Sequence, residues 1–135
     1  MRSRIIVGVM LVLGVLGSGT MATSGGGASA PQQWGLVTFT DPVLVTDQIL
    51  MGTYMIVHDD AKMERGEACT SFYRFEPAKG PQEEVVSFHC TPAMRKIADT
   101  LTLTRTDPAP PLGIARLTEY QFAGDCEAHA IPTKR

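Results

Sequence analysis

Three histidines, three cysteines and one methionine carry most of the chemistry that this chain offers. His58 precedes Asp59 and Asp60, and Met63 follows a few residues on. His89 adjoins Cys90, and Cys126 and His129 stand in a C-x-x-H spacing. Imidazole nitrogen combined with soft sulfur suits copper or zinc. His58, His89, His129 and Met63 are therefore the candidate ligands for such an ion, with a cysteine as a further donor. None of these residues forms a closed motif of tight spacing. On an extended strand His89 and Cys90 point to opposite faces, so they do not readily share one ion. The competing role for each histidine is local hydrogen bonding at a strand end.

The cysteines admit a second use. In an oxidising compartment a disulfide is the default for paired cysteines. Cys69–Phe75 (CTSFYRF) and Glu84–Cys90 (EVVSFHC) read as the two strands of a hairpin around Pro77-Ala78-Lys79-Gly80-Pro81. Pairing Cys69 with Cys90 sets Ser71 opposite Phe88 and Tyr73 opposite Val86. The more apolar face is then shared, which suits burial. A Cys69–Cys90 bond would close a loop of about twenty residues, for which chain entropy gives roughly 3 kcal/mol. Cys126 is left between Asp125 and Glu127. Acidic neighbours oppose thiolate formation, so it does not read as a nucleophile.

Catalytic patterns are missing from the sequence. His58-Asp59-Asp60 offers acid and base groups but no nucleophile at a working spacing. There is no G-x-S-x-G, no Walker A loop and no H-E-x-x-H. Asp59 and Asp60 read as acids that open a polar segment. Trp34, Tyr54, Tyr73 and Tyr120 could build an aromatic platform on a sheet, although packing in the core is the commoner use.

The elements that must position these groups are short strands. Trp34–Thr40, Val43–Thr46, Gly52–His58, the two hairpin arms, Ile97–Thr104 and Leu112–Phe122 are rich in strand formers. Asp41-Pro42 interrupts the first run. Asp59–Ala68 is polar, a loop or one helical turn ended by Gly66. Thr91-Pro92 ends the second hairpin arm, and Asp107–Pro111 is an extended connector. Alternation shifts near Arg116 and Leu117, which predicts a bulge. Ala123–Arg135 reads as irregular. Six to eight strands without a long helix predict an all-β, antiparallel sandwich or small barrel.

The chain has 135 residues, a net charge of −2, 44% hydrophobic and 19% charged residues. That balance excludes wholesale disorder and leaves room for one domain. It carries no basic excess, so no nucleic-acid partner is expected. Arg2 and Arg4 precede an uncharged run, Ile5–Leu16, and small residues follow it. Twelve apolar residues fall short of the roughly 20 that a span needs, but they suit a secretory signal peptide. The expected organisation is a signal peptide over 1–22, a Gly/Ser-rich leader over 23–33, one β domain over 34–130 and a tail over 131–135. Cleavage would leave 10 basic and 14 acidic residues, net −4, and no stable membrane span. The expected location is secreted or periplasmic.

Val37–Val57 (VTFTDPVLVTDQILMGTYMIV) resembles a pattern in small exported bacterial β-domain proteins of unknown function. There an F-x-x-P-V-x-V strand precedes a strand opened by G-T-Y. Phe39, Pro42, Val43, Val45, Gly52, Thr53 and Tyr54 match it, while Leu50-Met51 stands where Pro-Ala is often found. Val85–Cys90 and Glu119–Gly124 look similar to a narrower group of such proteins. The resemblance implies an exported β fold and no particular activity. The leading expectation is thus a non-catalytic exported module that binds an unknown protein or an envelope component. The alternative is a copper-, zinc- or redox-active protein built on His58, His89, His129 and Met63 or a cysteine.

Overall fold

The computed structural model describes residues 32–134. The signal peptide expected over 1–22, and most of the leader expected over 23–33, lie outside the described residues. The folded part starts slightly before Trp34, because β1 (Gln32–Val45) already includes Gln32 and Gln33. The other elements are β2 (Gln48–Asp59), α1 (Asp60–Glu64), β3 (Thr70–Glu76), β4 (Gly80–Phe88), β5 (Thr91–Met94), β6 (Thr102–Arg105), β7 (Ala115–Gln121) and β8 (Glu127–Ala130).

The protein is mostly β. Its strands form one open mixed sheet of eight, in the order β4-β3-β2-β1-β7-β8-β5, with β6 on the other side of β7 along part of its length. The expected all-antiparallel pairing needs one correction: β1 and β7 run parallel through Val43–Ala115 and Leu44–Arg116. Asp41-Pro42 does not end a strand either. Pairing with β2 shifts between Phe39 and Val43, so the interruption is absorbed as an irregularity within one long strand. Gly52 faces Phe39 at that point and has φ +101°, a backbone region that side chains disfavour.

The alternation of β1 and β2 buries one face. Phe39, Val43, Val45, Leu50, Tyr54, Ile56 and His58 point inward. Beyond β2 the hairpin of β3 and β4 adds Thr70, Phe72, Val86 and Phe88, while β7 and β8 add Leu117, Tyr120, Ala128 and His129. Residues from these two groups touch although their strands are not neighbours in the sheet. Thr70 of β3 hydrogen-bonds Tyr120 of β7. The rings of His58 in β2 and His129 in β8 lie 4.0 Å apart. The core therefore sits between β2–β3 and β7–β8.

The hairpin exists, but its register differs by one from the expectation. Thr70 pairs with Phe88 and Phe72 with Val86. A one-residue slip exchanges the faces of a strand. Phe72 is fully buried, and Tyr73, expected inside, is only partly so. Three other expectations also change. Thr91-Pro92 opens β5 instead of ending a strand. The irregular tail contains β8, which is held between β5 and β7. Of the Ile97–Thr104 run only the end is strand, and Ile97 is exposed. The bulge in β7 is present, since Thr104 pairs with Glu119 and Arg105 with Leu117.

Candidate metal centre

His58 ends the inward row of β2, two residues beyond Ile56. Asp59 then caps α1, its carboxylate accepting from the Lys62 backbone N–H at 3.1 Å. That single helical turn lays Met63 against the core. Cys69 enters β3 immediately before Thr70, and Cys90 follows β4. The Cys69 N–H donates to the Phe88 carbonyl at 3.0 Å, which ties the two ends together. His129 comes from β8, where pairing with Tyr120 turns it inward.

His58, Cys69 and Cys90 meet at one point, with His129 and Met63 at its edge beside Cys90. Ligand atoms of His58, Cys69 and Cys90 all lie within 4.8 Å of one another, and all three residues are buried. The two sulfurs are 2.9 Å apart and both cysteines are free, so the disulfide expected between Cys69 and Cys90 is not present. His129 Nδ1 is 3.6 Å from Cys90 Sγ, and Met63 Sδ is 3.8 Å from the same sulfur. The Cys90 N–H donates to Cys69 Sγ at 3.2 Å.

Burial decides the electrostatics. It lowers the pKa of His58, with Asp60, Asp59 and Asp125 opposing part of the effect. It lowers His129 to about 4, and the neighbouring His58 adds to that. Both rings are therefore neutral at neutral pH, the form that binds a metal. Burial also pushes the Cys90 thiol up to about 12, and the hydrogen bond with Cys69 pushes the same way. Tyr120, behind the histidines, is raised by burial too.

Among the described residues, neither nitrogen of His58 and not Nε2 of His129 has a hydrogen-bond partner. Asp60 Oδ1 does stand 3.1 Å from His58 Nδ1, but off the hydrogen-bond direction. Buried nitrogens left unpartnered are costly and rare. Two of them beside two thiols form a donor set for a thiophilic ion. Two thiolates and two neutral imidazoles would neutralise a divalent cation, which offsets much of the cost of burying charge. Asp60 lies near enough to His58 Nδ1 to become the carboxylate partner that commonly supports a ligating imidazole once the ring turns toward it.

Of the expected ligands, His58, His129 and Met63 come together, and His89 does not. His89 is exposed, and its Nδ1 bonds the Glu67 carbonyl at 2.9 Å. It touches the cluster only at its edge, 3.9 Å from Cys69 Sγ. Cys126 is partly exposed, and its C-x-x-H partner His129 turns to Cys90 instead. The aromatic platform divides: Tyr54 and Tyr120 are core residues, and Trp34 is exposed. The convergence of Cys69, Cys90, His58 and His129 has no signal in local spacing. It arises from four separate strand ends.

No family model matches the chain, and neither a curated protein nor a solved structure matches it. Among the described residues no helix is long and apolar enough to cross a membrane.

Proposed function

We propose that this protein is an exported metal-binding domain whose buried centre holds one copper or zinc ion. The ligands are His58, Cys69, Cys90 and His129, with Met63 beside them. Export is inferred from the charged start and the apolar run at 5–16. In this reading the strands on either side of the core pack as two layers, in the manner of a sandwich. The observation that carries the function is the buried His58 imidazole, unpartnered at both nitrogens, next to two buried thiols, with His129 unpartnered at Nε2 and its Nδ1 against Cys90 Sγ. A structural core would satisfy those nitrogens or replace them with apolar groups. The charge balance favours a divalent ion, and the thioether of Met63 extends the range to copper.

The test is metal content per chain, measured on mature protein purified under reducing conditions without chelators or affinity histidines. One copper or zinc per chain is expected, and it should disappear in the His58→Gln, His129→Gln double variant. A chain that stays metal-free after loading and dialysis sinks the reading.

A second reading keeps the protein as a partner-binding module. It is favoured by the outer face of β1 and β2, where exposed Trp34 pairs with Val57 and exposed Leu36 with Met55. Exposed apolar neighbours of this kind mark contact surfaces. The two readings are compatible, because the metal centre lies on the opposite face.

A further inference from the structure

We propose that Cys69 and Cys90 form a redox gate on the metal centre: as thiols they hold the ion, and as a disulfide they exclude it. The proposal rests on the metal-binding reading and adds its control. The geometry that supports it is the position of the two sulfurs. Two thiolates at about 2.3 Å from one tetrahedral ion stand about 3.8 Å apart. A disulfide draws them to about 2 Å. In this protein they are 2.9 Å apart, between the two arrangements. Side-chain movement of about an ångström either way reaches one state or the other.

The surroundings permit both. Each cysteine lies just outside a paired strand, Cys69 before Thr70 and Cys90 after Phe88. The side chains can therefore adjust without breaking the Thr70–Phe88 pair. The Cys90 N–H aimed at Cys69 Sγ holds the sulfurs together in the absence of an ion. The site is buried, and the exposed His89 stands 3.9 Å from Cys69 Sγ at its edge. An external disulfide would approach from that side. Cys126 takes no part, because it lies outside the cluster.

The reaction balances with an external disulfide as oxidant, such as oxidised glutathione or the active-site disulfide of an oxidase. A thiolate of the pair attacks it to give a mixed disulfide and release one thiol. The second cysteine sulfur then displaces the other thiol and closes the Cys69–Cys90 bond. Two electrons pass to the oxidant, whose two sulfurs leave as thiols. In the loaded protein the ion leaves as a divalent cation, and two protons from solvent go to the released thiolates. Oxidation removes both thiolate donors and leaves two imidazoles and a thioether.

The experiment uses the full mature chain with Cys126→Ser, so that only the gate thiols remain. Reduced protein is loaded with Co²⁺, whose thiolate charge-transfer absorption reports sulfur ligation directly. It is then treated with oxidised glutathione, and thiols are alkylated and mapped by mass spectrometry. The expected result is loss of the absorption in step with a Cys69–Cys90 linked peptide. Metal affinity should fall on the order of a hundredfold, and reductant should restore it. Unchanged metal binding by the oxidised, linked protein would overturn the gate and leave the metal reading standing. Persistence of both free thiols under oxidant would also overturn the gate alone. Failure of the reduced protein to bind Co²⁺ or Zn²⁺ at all would overturn the metal reading, and the gate with it.

Discussion

At the scale of single residues, the centre is defined by what burial does to ionisable groups. His58 and His129 are both held neutral in the fold. Unfolding exposes them to water, where histidine titrates near 6.5. Their folded pKa values are depressed, so their contribution is complete above about 6.5 and is lost as the pH falls toward His129's value of about 4. Metal-free protein should lose roughly 3 kcal/mol from His129 alone across that window, with His58 adding in the same direction. Glu127, raised by burial, acts the opposite way near the acid end. Urea unfolding at a series of pH values checks this, and a flat profile between pH 6.5 and 4.5 would refute it. Asp60 makes a second residue-scale case. Behind His58 it should orient the ring for metal. Asp60→Asn should weaken metal affinity by roughly 10- to 100-fold in a competition titration while leaving the apo fold intact. Equal affinity would remove Asp60 from the site.

Elements matter because each candidate ligand sits at the end of a strand or in a short connection. β2 delivers His58, α1 delivers Met63, the β3–β4 hairpin delivers the cysteines, and β8 delivers His129. The hairpin register is the critical joint. It places Phe72 fully inside, against Phe88 at 6.2 Å between ring centroids. Phe72→Ala should therefore cost about 3–5 kcal/mol. Ser71→Ala on the other face should stay within about 0.5 kcal/mol. Chemical denaturation of both variants decides between this register and the one that pairs Cys69 with Cys90 directly, in which Ser71 would face inward.

On the scale of the whole molecule, the centre joins parts of the chain that the sheet keeps apart. β2 and β8 are separated by β1 and β7 in the strand order, yet the rings of His58 and His129 lie 4.0 Å apart, tilted against each other. An ion bound there ties together the two sides of the core. Binding to the native state alone stabilises by mass action, by about 3 kcal/mol at a free ion concentration about a hundredfold above Kd. Zinc should shift the urea midpoint of the reduced protein upward, and a chelator should reverse the shift. The His58→Gln, His129→Gln variant should show neither effect. A midpoint indifferent to zinc would mean that no ion bridges the core.

The abundance of strands, the hairpin and the bulge in β7 were legible from residue types alone, and a helical turn before Gly66 was one of the two readings its polar segment allowed. Each depends on local alternation or on proline and glycine, so neighbours in sequence suffice to set it. Metal-type donors were legible too, as residue types: His58, His89, His129 and Met63 all stand out, and nothing in the sequence sets His89 apart. Which of them meet was decided only by tertiary structure. His89 and Cys90 are adjacent in sequence but face apart, and Cys126 and His129 share a familiar spacing without sharing a site. Cys90 instead meets Cys69 and His129, from strands that pairing and register bring together. The parallel β1–β7 pair, the strand within the expected tail and the one-residue hairpin shift have the same cause. Long-range pairing is chosen by how the whole sheet buries its faces. Local pattern sets the period of a strand, but it does not set the partner or the phase.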